Sequence, residues 1–254
     1  MINQISPDIF YSEQFPRSNK YDPMWILNNA MGPNPLWLTE FLVQAFDLKP
    51  GMRVLDLACG RGITSVFLAR EFGVQVYAVD LWESPDKKWE NAKAHGVEHL
   101  ITPVYADARS LPFAPGFFDA IVCVNSYMYF GQDEAYLENI LKFLRPGGQL
   151  GIIHSSYVKE VTGGVPDYIY EFLGDELWTW QMLSWWKALW EKDGLVSIDT
   201  ADTLPDGCSL WLRYDEAEVA FGSPSPFPDE THIFKMDLEN GEYMGFICLV
   251  ATKK

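Results

Sequence analysis

Apolar and polar positions change rhythm along this chain. Short apolar runs recur at Arg53–Ala58, Gln75–Val79, Ile101–Ala106, Asp119–Val124 and Gln149–His154, each bounded by turn residues, which predicts buried strands. Helical spacing fills most intervals between them. Ile63, Val66, Phe67 and Arg70 share one side before Gly73, and Leu137, Ile140, Leu141 and Leu144 follow a capping Asp133 before Pro146-Gly147-Gly148. Strands alternating with helices predict an α/β fold with a parallel sheet and right-handed crossovers.

Upstream, Asp22-Pro23 and Asn34-Pro35 each place a capping side chain before a proline, the signature of a helix start. Leu38, Phe41, Leu42, Ala45 and Phe46 then form an apolar stripe that ends by Pro50-Gly51. Residues 1–50 read as an N-terminal helical cap and 51–254 as the main domain, with an insertion at 157–192. Five of the ten tryptophans fall between Trp178 and Trp190, and Met182, Trp185, Trp186, Leu189 and Trp190 repeat at helical spacing up to Gly194. "VSIDTADTL" and "GEYMGFICLVATK" predict two further strands, Ser209–Phe221 a helix, and "SPSPFPD" a loop.

Charge narrows the partners. Lys plus Arg total 19 against 35 Asp plus Glu, a net charge of −16. A surface that acidic repels phosphate backbones and anionic lipid heads, so nucleic acid and membrane are disfavoured. Cys59, Cys123, Cys208 and Cys248 form no CxxC pair, which suits a reducing, cytoplasmic setting. The first residues lack the charged start and apolar core of a signal peptide, and no apolar run approaches the ~20 residues of a membrane span. His95 and His99 stand at i, i+4, but no third ligand accompanies them and Gly96 weakens the helix between; they read as solvent-facing, and no metal is expected.

The chemistry gathers at strand ends. Ala58-Cys59-Gly60-Arg61-Gly62 is a small-residue turn between a strand and a helix, where a ligand can approach the backbone. Gly60–Ser65 fits GxGxxG loosely, with Ser in the third position, and the absence of a lysine excludes a triphosphate loop. Asp56 lies near the end of the first strand, while Asp80 and Asp107 end the second and third. All three acids are expected at the carboxyl rim of the sheet. S-Adenosylmethionine would use them together, because its amino group, ribose diol and adenine amine all seek acceptors.

"VLDLACGRG", "VYAVDLW", "ADARSLPF", "FDAIVCVNSYMYF" and "LRPGGQLGIIH" resemble, in order and spacing, the successive motifs of class I S-adenosylmethionine-dependent methyltransferases of the bacterial small-molecule type. The resemblance covers roughly Arg53 to His154. It implies a Rossmann-like, seven-stranded, mostly parallel sheet with S-adenosylmethionine as cofactor. It further implies that Asp56, Gly60 and Gly62 surround the methionine portion, with Ala58 standing where glycine is usual. Asp80 would hold the ribose, Leu81 and Trp82 the adenine face, Asp107 and Ala108 the adenine edge, and Asn125 the cofactor or acceptor.

On the acceptor side the candidates are His154 as a base at the end of strand five, Tyr127 and Tyr129 after strand four, and Trp25, Asn28, Met31, Trp178 and Trp180 as walls around the substrate. The expected function is methyl transfer to a small molecule on N, O, C or S, by a monomer or homodimer. Two alternatives stay open: a non-catalytic protein that senses the cofactor or its demethylated product, and an enzyme of this fold that uses the cofactor for other chemistry.

Overall fold

The computed structural model describes residues 7–222 and 229–254. Seven strands form one sheet: β1 (Arg53–Leu57), β2 (Gln75–Asp80), β3 (Ile101–Tyr105), β4 (Phe118–Val124), β5 (Leu144–Tyr157), β6 (Val196–Thr203) and β7 (Met244–Lys253). Their order is β3-β2-β1-β4-β5-β7-β6. The first five run parallel, and β7 lies antiparallel between β5 and β6. Strand order reverses between β1 and β4, and in open α/β sheets the crevice at such a switch point is where ligands bind.

Helices cover both faces. They are α1 (Pro23–Asn29), α2 (Pro35–Leu42), α3 (Ile63–Phe72), α4 (Pro85–Ala94), α5 (Glu134–Leu141), α6 (Asp167–Leu173), α7 (Leu183–Glu191), α8 (Gly207–Phe221) and α9 (Thr231–Asn240). Strand pleating divides the core. Val54, Val122, Val124 and Ile153 pack with α2, α3 and α8, whereas Leu55, Leu57, Ile121, Cys123 and Ile152 pack with α5 and α7. A third cluster, joining Tyr157, Ile169, Leu173, Trp180, Cys208, Phe234 and Met244, roofs the carboxyl end of the sheet.

The capping residues act as expected. Asp22 accepts from the Met24 amide at 3.0 Å, Asn34 from the Leu36 amide at 3.0 Å, and Asp133 from the Ala135 amide at 3.0 Å. The N-terminal segment is pinned by buried Glu40, whose carboxylate accepts from the Arg17 and Ser18 amides at 2.9 and 2.7 Å and from the Ser18 hydroxyl at 2.6 Å.

Several boundaries differ from the sequence reading. Helix α2 stops at Leu42, well before Pro50-Gly51, and α5 stops at Leu141, so Leu144 belongs to β5. Helices α6 and α9, which bury Tyr168, Ile169 and Leu173 and Ile233 and Phe234 on their inner faces, are short elements absent from the sequence reading. In α7, Trp186 and Trp190 are fully buried but Trp185 faces outward. His95 ends α4 and His99 sits in a separate 3-10 turn, so the two never share a helix. His95 is half-buried against Trp25, with ring centroids 4.0 Å apart, rather than solvent-facing. Among the described residues no cluster of three metal-ligating side chains occurs, and no helix is long and apolar enough to cross a membrane. The loop expected at 223–229 lies, apart from Asp229, outside the described residues.

Candidate active site

The turn after β1 shapes the first cavity. Ala58 has φ +55°, Gly60 +53° and Gly62 +79°, all left-handed. Glycine takes this conformation freely, whereas an L side chain is strained by roughly 1–2 kcal/mol. At Gly60 a methyl group would also stand 3.2 Å from the Met31 sulfur. Gly62 starts α3 without a side-chain cap, so the first amides of the helix remain available to an anion. This cavity is walled by Asn29, Met31, Ala58, Cys59, Gly60, Ile63, Thr64 and Asn125, among others.

Asp80 closes the turn from β2. Its Oδ2 accepts from the Gly60 amide at 2.8 Å, and its Oδ1 from the Trp82 and Glu83 amides at 2.7 and 2.8 Å. A carboxylate offers about four acceptor positions, so three amides leave Oδ2 one lone pair for a ligand. Asp80 borders both the first cavity and a second of about 210 Å³ that continues past Leu81, Trp82, Ala106, Asp107 and Ala108. Asp107 accepts from Arg109 through Nε at 3.0 Å and Nη2 at 2.7 Å. These hydrogen bonds hold its carboxyl below the usual range.

Asp56 departs from the expected convergence. It is buried, lines none of the cavities, and points from β1 toward α3, where its Oδ2 accepts from the Thr64 and Ser65 hydroxyls. Burial pushes its carboxyl up to about 6, against the lowering effect of those two hydroxyls. Two carboxylates therefore face the crevice, and the third braces the turn from below.

On the acceptor side, His154 also departs from the expected placement. Pleating turns it to the α7 face of the sheet, where it is fully buried, 5.2 Å from the Trp186 ring, and lines no cavity. Burial pushes its imidazole down to about 4. The next residue, Ser155, faces the opening instead. Tyr127 is likewise buried beneath Trp186 and Trp190, and burial raises its phenol far above the ordinary value. Tyr129, by contrast, borders all three cavities and donates to Glu176 at 3.0 Å.

Of the proposed substrate walls, Met31 lines the first cavity and Trp180 lines a third, of about 270 Å³. Trp25, Asn28 and Trp178 line none of the three. Trp25 instead donates to Asn91 at 3.1 Å, and Asn91 donates to Asn29 at 3.0 Å and to the Arg61 carbonyl at 2.8 Å. This relay ties the N-terminal cap to the glycine turn. Asn29, Pro33, Ser126, Ser155 and Trp211 also border the site. Ser126 lies inside the quoted motif beside Asn125, and Ser155 follows His154, but neither was singled out; Asn29, Pro33 and Trp211 reach the site only through the packing of distant segments.

The sheet order and the turn define a class I S-adenosylmethionine-dependent methyltransferase fold. Residues 54–148 match the family model described as "Methyltransferase domain". Methyltransferase GfsG of Streptomyces halstedii is 30% identical over 116 residues, covering 45% of this chain and 42% of its own length. The curated relatives it matches are spanned over 19–56% of their lengths. Among solved structures, phosphoethanolamine N-methyltransferase 2 of Haemonchus contortus, in complex with S-adenosyl-L-methionine, superposes with a TM-score of 0.72 at 20% identity, covering 99% of this chain and 60% of that one. The [4+2]-cyclase SpnF superposes at 0.68 and 20% identity, covering 85% and 80%. The fold thus hosts more than one chemistry.

Proposed function

We propose that the protein transfers the methyl group of S-adenosylmethionine to a small-molecule acceptor. The observation that carries this reading is the junction of three cavities at Tyr129: two of them follow the glycine turn past Asp80 to Asp107, and the third opens beside them. The residues present fit the cofactor. The uncapped start of α3 suits the methionine carboxylate, the open lone pair of Asp80 a ribose hydroxyl, and Asp107 the adenine amine, with Leu81, Trp82 and Ala108 against the ring. Asn125 is firmly held at the end of β4. It takes a left-handed conformation, its amide donates to the Ile153 carbonyl at 2.7 Å, and its Oδ1 accepts from the Ser155 amide at 3.1 Å. That position borders both the cofactor crevice and the third cavity.

Bound there, S-adenosylmethionine supplies a methyl group already activated on a sulfonium. The protein's work is then to exclude water and to align the acceptor for in-line attack. Tyr129, held by Glu176, and Asn125 are the residues placed to orient it. The enzyme works on a small molecule in the cytoplasm, as a monomer or homodimer; the acidic composition and the unpaired thiols support that setting.

Methyl-labelled S-adenosylmethionine incubated with the protein and a metabolite extract should yield a labelled small product, read by mass spectrometry. Intact cofactor binding with no label transferred across chemically varied extracts would favour the sensor instead.

A further inference from the structure

The third cavity has a chemistry of its own. One wall is aromatic: the Trp180 and Trp211 rings lie 6.5 Å apart at 30°, and Phe172 meets them edge-on at 6.0 and 5.9 Å. The other wall is acidic. Glu176 comes from the 3-10 turn Gly174–Thr179, Asp215 and Glu218 from successive turns of α8, and Glu230 from the residue before α9. Among the described residues no Lys, Arg or His lines this space. Lys235 pairs with Glu216 at 2.9 Å instead. Asp215 is only 6% exposed; its Oδ2 accepts from the Glu230 amide at 3.2 Å, and its Oδ1 has no hydrogen-bond partner among the described residues.

Such crowding works against the charged forms of Glu230 and Asp215. Burial, reinforced by Asp215, Glu218, Glu176 and Asp229, pushes Glu230 up to about 7. Burial, with Asp229 and Glu216, pushes Asp215 up to about 6, and the amide of Glu230 and the charge of His232 offset this only in part. A concave site whose described lining concentrates negative charge and includes no Lys, Arg or His is matched by a ligand that brings a cation. Aromatic faces beside the carboxylates add cation–π attraction for the same ligand.

We propose that the acceptor is a cationic amine with an apolar or flat body, and that the methyl group goes to its nitrogen. This rests on the methyl-transfer reading above. The bound ammonium gives one proton to a cavity carboxylate. The freed nitrogen lone pair then forms a bond to the methyl carbon as the carbon–sulfur bond breaks, its electron pair going to sulfur. The products are an amine with one more methyl group, again cationic, and the neutral thioether S-adenosylhomocysteine.

The test compares ligands of one size and different charge. Calorimetry would titrate 2-phenylethylamine and its N,N,N-trimethyl derivative, 2-phenylethanol and 3-phenylpropionate into the protein, with and without S-adenosylhomocysteine. The two cations should bind at least tenfold tighter than the alcohol and the carboxylate. Asp215→Asn and Glu230→Gln, which relieve repulsion, should each erase most of that preference while changing S-adenosylhomocysteine affinity less than twofold. Equal binding, or a preference for the neutral or anionic probe, overturns the proposal. So does label transfer from S-adenosylmethionine to alcohols or acids but not to amines, which would leave methyl transfer itself standing. Failure to bind either adenosyl compound would instead defeat the methyl-transfer reading, and the charge preference of the cavity would still be read from the titrations without them.

Discussion

The two halves of the site are built in opposite ways. The donor half lies on three consecutive strand ends, and backbone amides of the two adjoining turns hold its carboxylate: Asp80 reaches Gly60, Trp82 and Glu83. The acceptor half is gathered from six places along the chain: Gly32-Pro33, the turn after β4, Ser155 on β5, the segment 172–180, α8, and the residue before α9. Local geometry makes the first half rigid. The second depends on a separate small core, in which Trp180, Phe172, Trp211 and Phe234 pack against one another. A fold can thus keep one ligand constant and vary the other, because only the acceptor half is free to change without disturbing the strand ends.

The contrast is sharpest at Trp180. Trp180→Ala removes a buried indole from that roof, and should cost about 3 kcal/mol of stability and raise the KM for the acceptor, while the calorimetric Kd for S-adenosylhomocysteine stays within threefold. A large loss of cofactor affinity would show that the halves are not independent. Asp80→Ala should do the reverse, weakening cofactor binding by at least about 100-fold, or ~2.7 kcal/mol; unchanged affinity would refute its role at the ribose.

Asp56→Asn acts beneath the donor half, through pH. The folded carboxyl titrates at about 6 against an ordinary 3.8, so the native state binds the proton more tightly than the unfolded chain does. Stability is therefore full below pH ~4 and falls as pH rises to about 6. The variant should flatten that part of the profile and recover about 3 kcal/mol near neutrality, measured from urea midpoints between pH 4 and 7. Ala58→Gly should relax the left-handed turn and add about 1 kcal/mol, read as a small rise in Tm. No gain would mean that the alanine methyl repays its strain by packing.

His154 shows why a strand-end residue can mislead. It was expected to end the fifth strand, but β5 runs on to Tyr157, and which face His154 occupies follows from pleating and pairing. A shift of one residue exchanges the opening for the core, and Ser155 took the place expected of the histidine. Asp56 is a parallel case: its strand was legible, yet the hydroxyls of Thr64 and Ser65 that claim it become neighbours only once α3 docks. Trp178 and Trp180 stand two residues apart in one aromatic segment, but only Trp180 reaches the cavity.

The sequence alone determined the alternation of strands and helices, the glycine turn, and the ends of β2 and β3 where Asp80 and Asp107 stand. These features arise from contacts close along the chain, and short-range periodicity and turn chemistry record them directly. Only the tertiary structure decided which face each strand-end side chain took and how α6, α8 and α9 meet to enclose an acidic, aromatic cavity. Those outcomes depend on contacts between segments tens of residues apart, whose free energy is shared among many side chains and leaves no local pattern to read.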